Sequence, residues 1–400
     1  MTSTVKIGDR LYLARSALDD LIQVLRGQGY SVVGPRAADG AISLQPVESA
    51  AQLPQGLSDK QDGGSYRVVE GEPELTFQYV VGPDGPKQYL FPANLRLFEF
   101  HFQADNFVLD VGPPQVPKLA MLGVRACELA AIEVQDRVFG MDDPKMFRCE
   151  SEPWYTQIRQ ESLLIAVNCT RPGGTCFCAA WGTGPEVTKG FDLALTELRD
   201  GFLVHVGSTR GAALVEELPV REPTMAEVEL AAIKLDRARS CMGRQLDVSG
   251  LQELLNQSIE YPEWDEIARR CLSCGNCTMV CPTCFCCTVN DTTNLAATDK
   301  VARIRQWESC FTHQFTYTIS GPERNTIRGR YRHWLRHKLS TWWEQFGCSG
   351  CVGCGRCITW CPVGIDLTEE VRRLRERSLA HGARGPALRK GEVDHGPASR

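Results

Sequence analysis

The sequence predicts a chain in two parts. An α/β domain is expected over residues 1–240, a mostly helical domain over 241–380, and a disordered tail over 381–400. Three observations predict this. Helical and strand-like patterns alternate through the first part. Thirteen of the nineteen cysteines crowd between Cys271 and Cys361. Four hundred residues also exceed what one ordinary core accommodates.

The alternation begins with "YLARSALDDLIQVLRGQG", where Leu13, Leu21, Ile22 and Leu25 fall at helical spacing before Gly27 and Gly29. "KLAMLGV" (118–124) reads as a buried strand feeding the helical "RACELAAIEVQDRVF". "LLIAVNC" (163–169) and "GFLVHVG" (201–207) read as further strands, the latter followed by the helical "TRGAALVEEL". From about 224 to 270 the pattern is continuously helical. The tail is rich in Gly, Pro and charge, a composition that cannot build a core.

Composition narrows the function classes. With 43% apolar and 23% charged residues the chain is globular, and a net charge of -5 gives no general attraction to nucleic acid or anionic membrane. No apolar run is long enough to span a bilayer, and the N-terminus lacks a secretory apolar region, so a cytoplasmic protein is expected. In a reducing compartment clustered cysteines ligate metal or do redox chemistry more often than they form disulfides.

Two stretches make that choice sharper. "CLSCGNCTMVCP" (271–282) and "CVGCGRCITWCP" (351–362) each hold three cysteines three residues apart and a fourth before a proline. A 4Fe-4S cube needs four thiolates, and in two-cluster ferredoxins the cysteine before the proline reaches across to the other cube. One cluster is then expected on Cys271, Cys274, Cys277 and Cys361, the other on Cys351, Cys354, Cys357 and Cys281. Gly275 and Gly355 relieve crowding, Pro362 suits a helix start, and Asp366 with Glu369 would cap the helix that follows. The second part of the chain is therefore expected to be a ferredoxin-like domain holding two 4Fe-4S clusters. The competing reading is zinc, which usually takes paired CxxC units or histidines, and neither motif needs a histidine.

The remaining cysteines are less determined. Cys284, Cys286, Cys287 and Cys310 read first as buried thiols around the clusters; the alternatives are that they complete a further site as additional ligands, or that one of them replaces Cys281. Cys127, Cys169, Cys176 and Cys178 follow two strands, with Gly173 and Gly174 allowing a tight loop. Spacing alone leaves unrelated thiols, a zinc site or a third cluster open. Cys149, Cys241 and Cys348 read as structural or spare. His205 and His313 stand alone, and no Walker loop or GxGxxG is present, so no nucleotide site or catalytic set is expected. Lys300, Arg303, Arg305, Arg324, Arg328, Arg330, Arg332, Arg336 and Lys338 make a basic stretch. It reads as offsetting thiolate charge or as docking an acidic partner, rather than as binding nucleic acid.

"GVRACEL", "NCTRPGGTCFC", "GFDLALTEL", "PEWDEIARRCLSCGNCTMVCPTCFC", "RQWESC" and "CVGCGRCITWCPVGIDL" together resemble the beta subunit of soluble NiFe hydrogenases of the sulfhydrogenase type, over about residues 75–370. They are also similar to the cluster-bearing subunit of anaerobic sulfite reductase. The resemblance implies a non-catalytic electron-transfer subunit. Its partners would be a flavin subunit that binds NAD(P)H and the small iron–sulfur and large NiFe hydrogenase subunits. It favours a third cluster on Cys127, Cys169, Cys176 and Cys178, and gives weight to Cys284, Cys286 and Cys310. An anaerobic sulfite reductase subunit, or a zinc- or Fe-S-binding regulatory scaffold, is the alternative.

Overall fold

The computed structural model describes residues 4–103, 106–111, 116–141, 151–294 and 296–382. Cys149 and nearly all of the expected tail lie outside them. The first part is organised by an eight-stranded mixed sheet. Its strands run in the order Val220–Arg221, Arg10–Ala14, Gly201–Val206, Leu193–Glu197, Leu163–Val167, Leu119–Val124, Ser31–Ala38 and Ala41–Pro46. The central strand Leu163–Val167 pairs in parallel with both neighbours, and all five of its residues are buried.

A parallel strand covered on both faces must be apolar throughout, which is why "LLIAV" shows no alternation. Its side chains nevertheless sort by parity. Leu163, Ile165 and Val167 join Ala120 and Leu122 beneath Leu21, Ile22 and Leu25 of helix Leu18–Gly27 and Leu214 and Val215 of helix Thr209–Glu216. Leu164 and Ala166 join Met121 and Val124 against Leu129 and Ile132 of helix Ala126–Val138 and Tyr155 and Ile158 of helix Pro153–Glu161. The result is helix–sheet–helix.

Two expectations about elements are corrected here. The first helix begins at Leu18, after a 3-10 turn, whereas Tyr12 and Leu13 belong to a strand. Antiparallel pairing of Arg10–Ala14 with Gly201–Val206 overrides the local helical spacing. Residues 224–270 form three helices, Met225–Ser240, Leu251–Gln257 and Glu263–Arg270, and not one continuous run.

The second part packs those last two helices with Ile327–Arg336, Trp342–Phe346 and Leu367–Gly382. Trp264, Leu255, Ile267, Leu335, Leu339, Ile358 and Leu374 fill the interior, and Trp264 donates its indole N–H to Ser258 O at 2.7 Å. Asp366 caps the last helix by accepting from Thr368 N at 2.9 Å, so that helix starts at Leu367 and not at Pro362.

The second part is less helical than expected. A long antiparallel hairpin, Cys287–Asn294 with Ala297–Trp307, joins Asn94–Gln103 and Asn106–Asp110 from the first part in one four-stranded sheet. Lys300, Arg303 and Arg305 therefore lie on a strand, while Arg328 to Arg336 lie on a helix.

Candidate metal centres

The two cysteine motifs fold alike. Cys271 ends helix Glu263–Arg270, Ser273 has φ +53°, and Gly275 at φ +79° opens the single turn Asn276–Met279. In the second motif Gly353 has φ +64°, and Gly355 at φ +77° opens the turn Arg356–Thr359. Ser273 N donates to Cys271 Sγ at 3.4 Å, and Gly353 N donates to Cys351 Sγ at 3.4 Å. Each loop therefore turns peptide N–H groups toward its own sulfur. Backbone donors of this kind tune iron–sulfur sites.

Cys271, Cys274 and Cys277 line one cavity together with Cys361 and Cys357 from the other motif. Ile365 N donates to Cys361 Sγ at 3.3 Å. Phe311, Tyr331, Trp334 and Ile365 complete the wall. Tyr331 Oη and Trp334 Nε1 are buried without a hydrogen-bond partner among the described residues. Buried donors without acceptors are costly. Two of them beside five thiols suit an anionic, thiolate-ligated group. Burial raises the Cys271 and Cys277 pKa values, and the neighbouring thiols raise them further.

Cys351, Cys354 and Cys357 gather with Cys281. Burial is the largest cause of the raised Cys357 pKa, followed by the charges of Cys351, Cys354 and Cys281. Cys351 is pushed up to about 12, also first by burial. Cys281 moves the other way, well below the usual thiol value. It accepts a hydrogen bond from Cys284, the largest cause, and lies 3.0 Å from Lys338 Nζ. Cys286 and Cys310 pair by hydrogen bond nearby, and this holds the Cys286 pKa at about 7.

The third cysteine group, Cys127, Cys169, Cys176 and Cys178, lines a cavity of its own with Val80, Val81, Met242 and Cys354. Cys127 sits in the first turn of Ala126–Val138, and Cys169 follows strand Leu163–Val167. The loop between Cys169 and Cys176 is as tight as its glycines imply. A Cβ on Gly173 would stand 2.6 Å from Val80, and one on Gly174 would run into Gln61 O. Burial, then the nearby Cys354 and Cys178, raises the Cys127 pKa, so this pocket adjoins the second motif. Phe177 N donates to Gly353 O at 2.9 Å across the seam. Among the described residues, no three His, Cys, Asp or Glu groups stand close enough to hold one metal ion.

Sequence reasoning missed the cations that brace these pockets. Arg125 donates to Phe77 O at 2.9 Å and Tyr79 O at 2.7 Å beneath the cavity of the third cysteine group. Arg356 ion-pairs with Glu128 while also contacting Cys354. Arg244 bridges Asp62 and Asp366, at 2.5 and 2.6 Å, and donates to Gly174 O. Each lay inside or beside a noticed motif, but nothing local marks an arginine as buried. Cys241 and Cys287 are exposed and line neither of the two cysteine-lined cavities.

Twin cysteine loops, with backbone donors on the sulfurs, mark the class as an iron–sulfur protein. Residues 270–365 match the family described as a 4Fe-4S dicluster domain. The chain is 32% identical over 314 residues to "Sulfhydrogenase 2 subunit beta" of Pyrococcus furiosus (strain ATCC 43587 / DSM 3638 / JCM 8422 / Vc1). That alignment covers 78% of this chain and 89% of that one. The chain belongs to the family of that sulfhydrogenase beta subunit, and is an iron–sulfur protein of electron transport. No solved structure matches it. No helix among the described residues is long and apolar enough to cross a membrane.

Proposed function

We propose that this chain is the electron-relaying subunit of a cytoplasmic hydrogenase complex. It would stand between the small and large NiFe hydrogenase subunits on one side and an NAD(P)H-linked flavin subunit on the other. The observation that carries this reading is the entry of Cys361 into the cavity formed by Cys271, Cys274 and Cys277. Those four would hold one 4Fe-4S cluster. Cys351, Cys354, Cys357 and Cys281 would hold a second, and Cys127, Cys169, Cys176 and Cys178 a third. Residues 241–380 would act as the dicluster unit and residues 1–240 as the carrier of the third site. Cys284, Cys286 and Cys310 would pack beside the second cluster as thiols.

Bound clusters supply one-electron carriers whose potentials are tuned by hydrogen bonds, charge and burial. The chain's own residues do the tuning and exclude water. Phe311, Tyr331 and Trp334 wall the first pocket, and the N–H groups of Ser273, Gly353 and Ile365 address sulfur. Adjacency is favoured by two shared cysteines: Cys357 borders the first cavity and Cys354 that of the third cysteine group.

The test is to purify the native complex anaerobically, identify its subunits, and count iron and paramagnetic clusters by EPR. Cys274→Ala and Cys361→Ala should each remove the same cluster, about four iron atoms per chain. Dye reduction by the flavin partner should persist in both. If Cys361→Ala instead removed the cluster lost in Cys354→Ala, the exchanged assignment would fall. A sirohaem partner in place of the NiFe subunits would move the chain to the sulfite reductase assembly.

A further inference from the structure

Lys338 is a buried ammonium with an unusual set of partners. It lies in the π-turn His337–Thr341, which continues helix Ile327–Arg336, and is 2% exposed. Its Nζ donates to Thr283 Oγ1 at 2.9 Å and Gly350 O at 3.1 Å, and lies 3.0 Å from Cys281 Sγ. Among the described residues none of these contacts is to a carboxylate. Burying an ammonium without a counter-charge is costly, so the site calls for an anion. The sulfur of Cys281 is the group placed to supply it.

The position of the lysine matters as much as its charge. Cys281 ends the first motif, and Gly350 immediately precedes Cys351 of the second. Thr283 ties the same two segments by donating to Gly350 O at 2.7 Å. Lys338 therefore sits where the two motifs cross and addresses the sulfur that crosses over. The equivalent sulfur of the first cavity, Cys361, receives the neutral N–H of Ile365. Other cations are near both sites: Arg356 contacts Cys354, Lys87 stands near Cys281, and Arg330 stands near Cys271.

We infer that Lys338 is a positioning residue that holds the potential of the second cluster up by direct donation to Cys281 Sγ. This rests on the proposal that Cys281 is a ligand of that cluster. A cationic donor stabilises the reduced, more negative state over the oxidised one, so its removal lowers the potential.

The experiment uses the full chain, purified anaerobically as wild type, Lys338→Met, Lys338→Gln and Cys281→Ala. Iron and acid-labile sulfide are counted, and redox titrations are followed by EPR. Lys338→Gln keeps a donor but removes the charge. Poised at the wild-type midpoint of the second cluster, both Lys338 variants should retain full iron. Their reduced-to-oxidised ratio should fall at least tenfold in Lys338→Met, which for a one-electron couple is 59 mV, and by less in Lys338→Gln. The other signals should keep their midpoints. Full iron with an unmoved midpoint overturns the inference. Loss of the cluster in both Lys338 variants also overturns it, leaving Lys338 a structural prop. Full iron in Cys281→Ala would instead overturn the ligand assignment, whatever the Lys338 variants do.

Discussion

Gly275 and Gly355 share a left-handed backbone, and at both the side-chain space is also taken. A Cβ at Gly275 would stand 2.9 Å from Ser309 Oγ. Gly275→Ala combines an unfavourable φ with that clash, at a cost of about 1–3 kcal/mol. The strain falls on the loop that carries Cys274 and Cys277. The expected result is chain that folds but holds less iron, read as a lower iron-to-protein ratio with an unchanged far-ultraviolet spectrum. His333 gives a second test at this scale. Burial, then Arg324, His337 and Arg336, lower its pKa from 6.5 to about 4. Its folded pKa lies below its unfolded one, so the folded state resists the proton. Stability from this residue is intact above about pH 6.5 and is lost as pH falls toward 4. His333→Gln should narrow the difference in Tm between pH 7 and pH 4.5 relative to wild type; an equal difference in both proteins counts against this.

Strand Leu163–Val167 is the element on which the first part turns, because it pairs on both edges and is buried on both faces. Ile165→Ala would open a cavity beneath helix Leu18–Gly27 at a cost of about 2–5 kcal/mol. Urea titration should show the midpoint falling with an unchanged slope. The same strand leads into Cys169, so the variant should also loosen the third site. Elements of this kind were legible in the sequence, since "LLIAV" is apolar whatever its partners. The strand Arg10–Ala14 was not legible. Its side chains fit helical spacing, and only the distant partner Gly201–Val206 gives it a ladder. The four-stranded sheet was hidden for the same reason, its strands lying about two hundred residues apart in sequence.

At the scale of the whole molecule, the two parts are locked where the second motif meets the first part. Arg356 and Glu128 are 1% and 4% exposed and ion-paired, and Glu128 also accepts from Arg125 N at 2.9 Å. Removing one partner strands a buried charge, at about 3–5 kcal/mol. Glu128→Gln should therefore lower Tm and release iron from the second and third sites together. Adding Arg356→Met should recover part of the stability, because the stranded charge is gone. Additive losses in the double variant would show that the pair is not the lock. Gly64 N donating to Ile358 O at 3.1 Å, and Arg244 spanning Asp62 and Asp366, tie the same seam.

By itself the sequence determined the chemistry of the second part. A triplet of cysteines with a proline-followed fourth, written twice, suits an iron–sulfur cube because the cube's four corners dictate that spacing. It also determined the buried strands and the tight loop after Cys169, which depend on local composition alone. Only the tertiary structure decided that Cys127, Cys169, Cys176 and Cys178 share one cavity beside Cys354. It alone also placed Lys338 against Cys281, buried Arg125 and Arg356, and set Arg244 across the seam between the two parts. Spacing along a chain fixes which groups can reach one another locally. Burial and the pairing of distant charges arise only when separate segments exclude water from the same space.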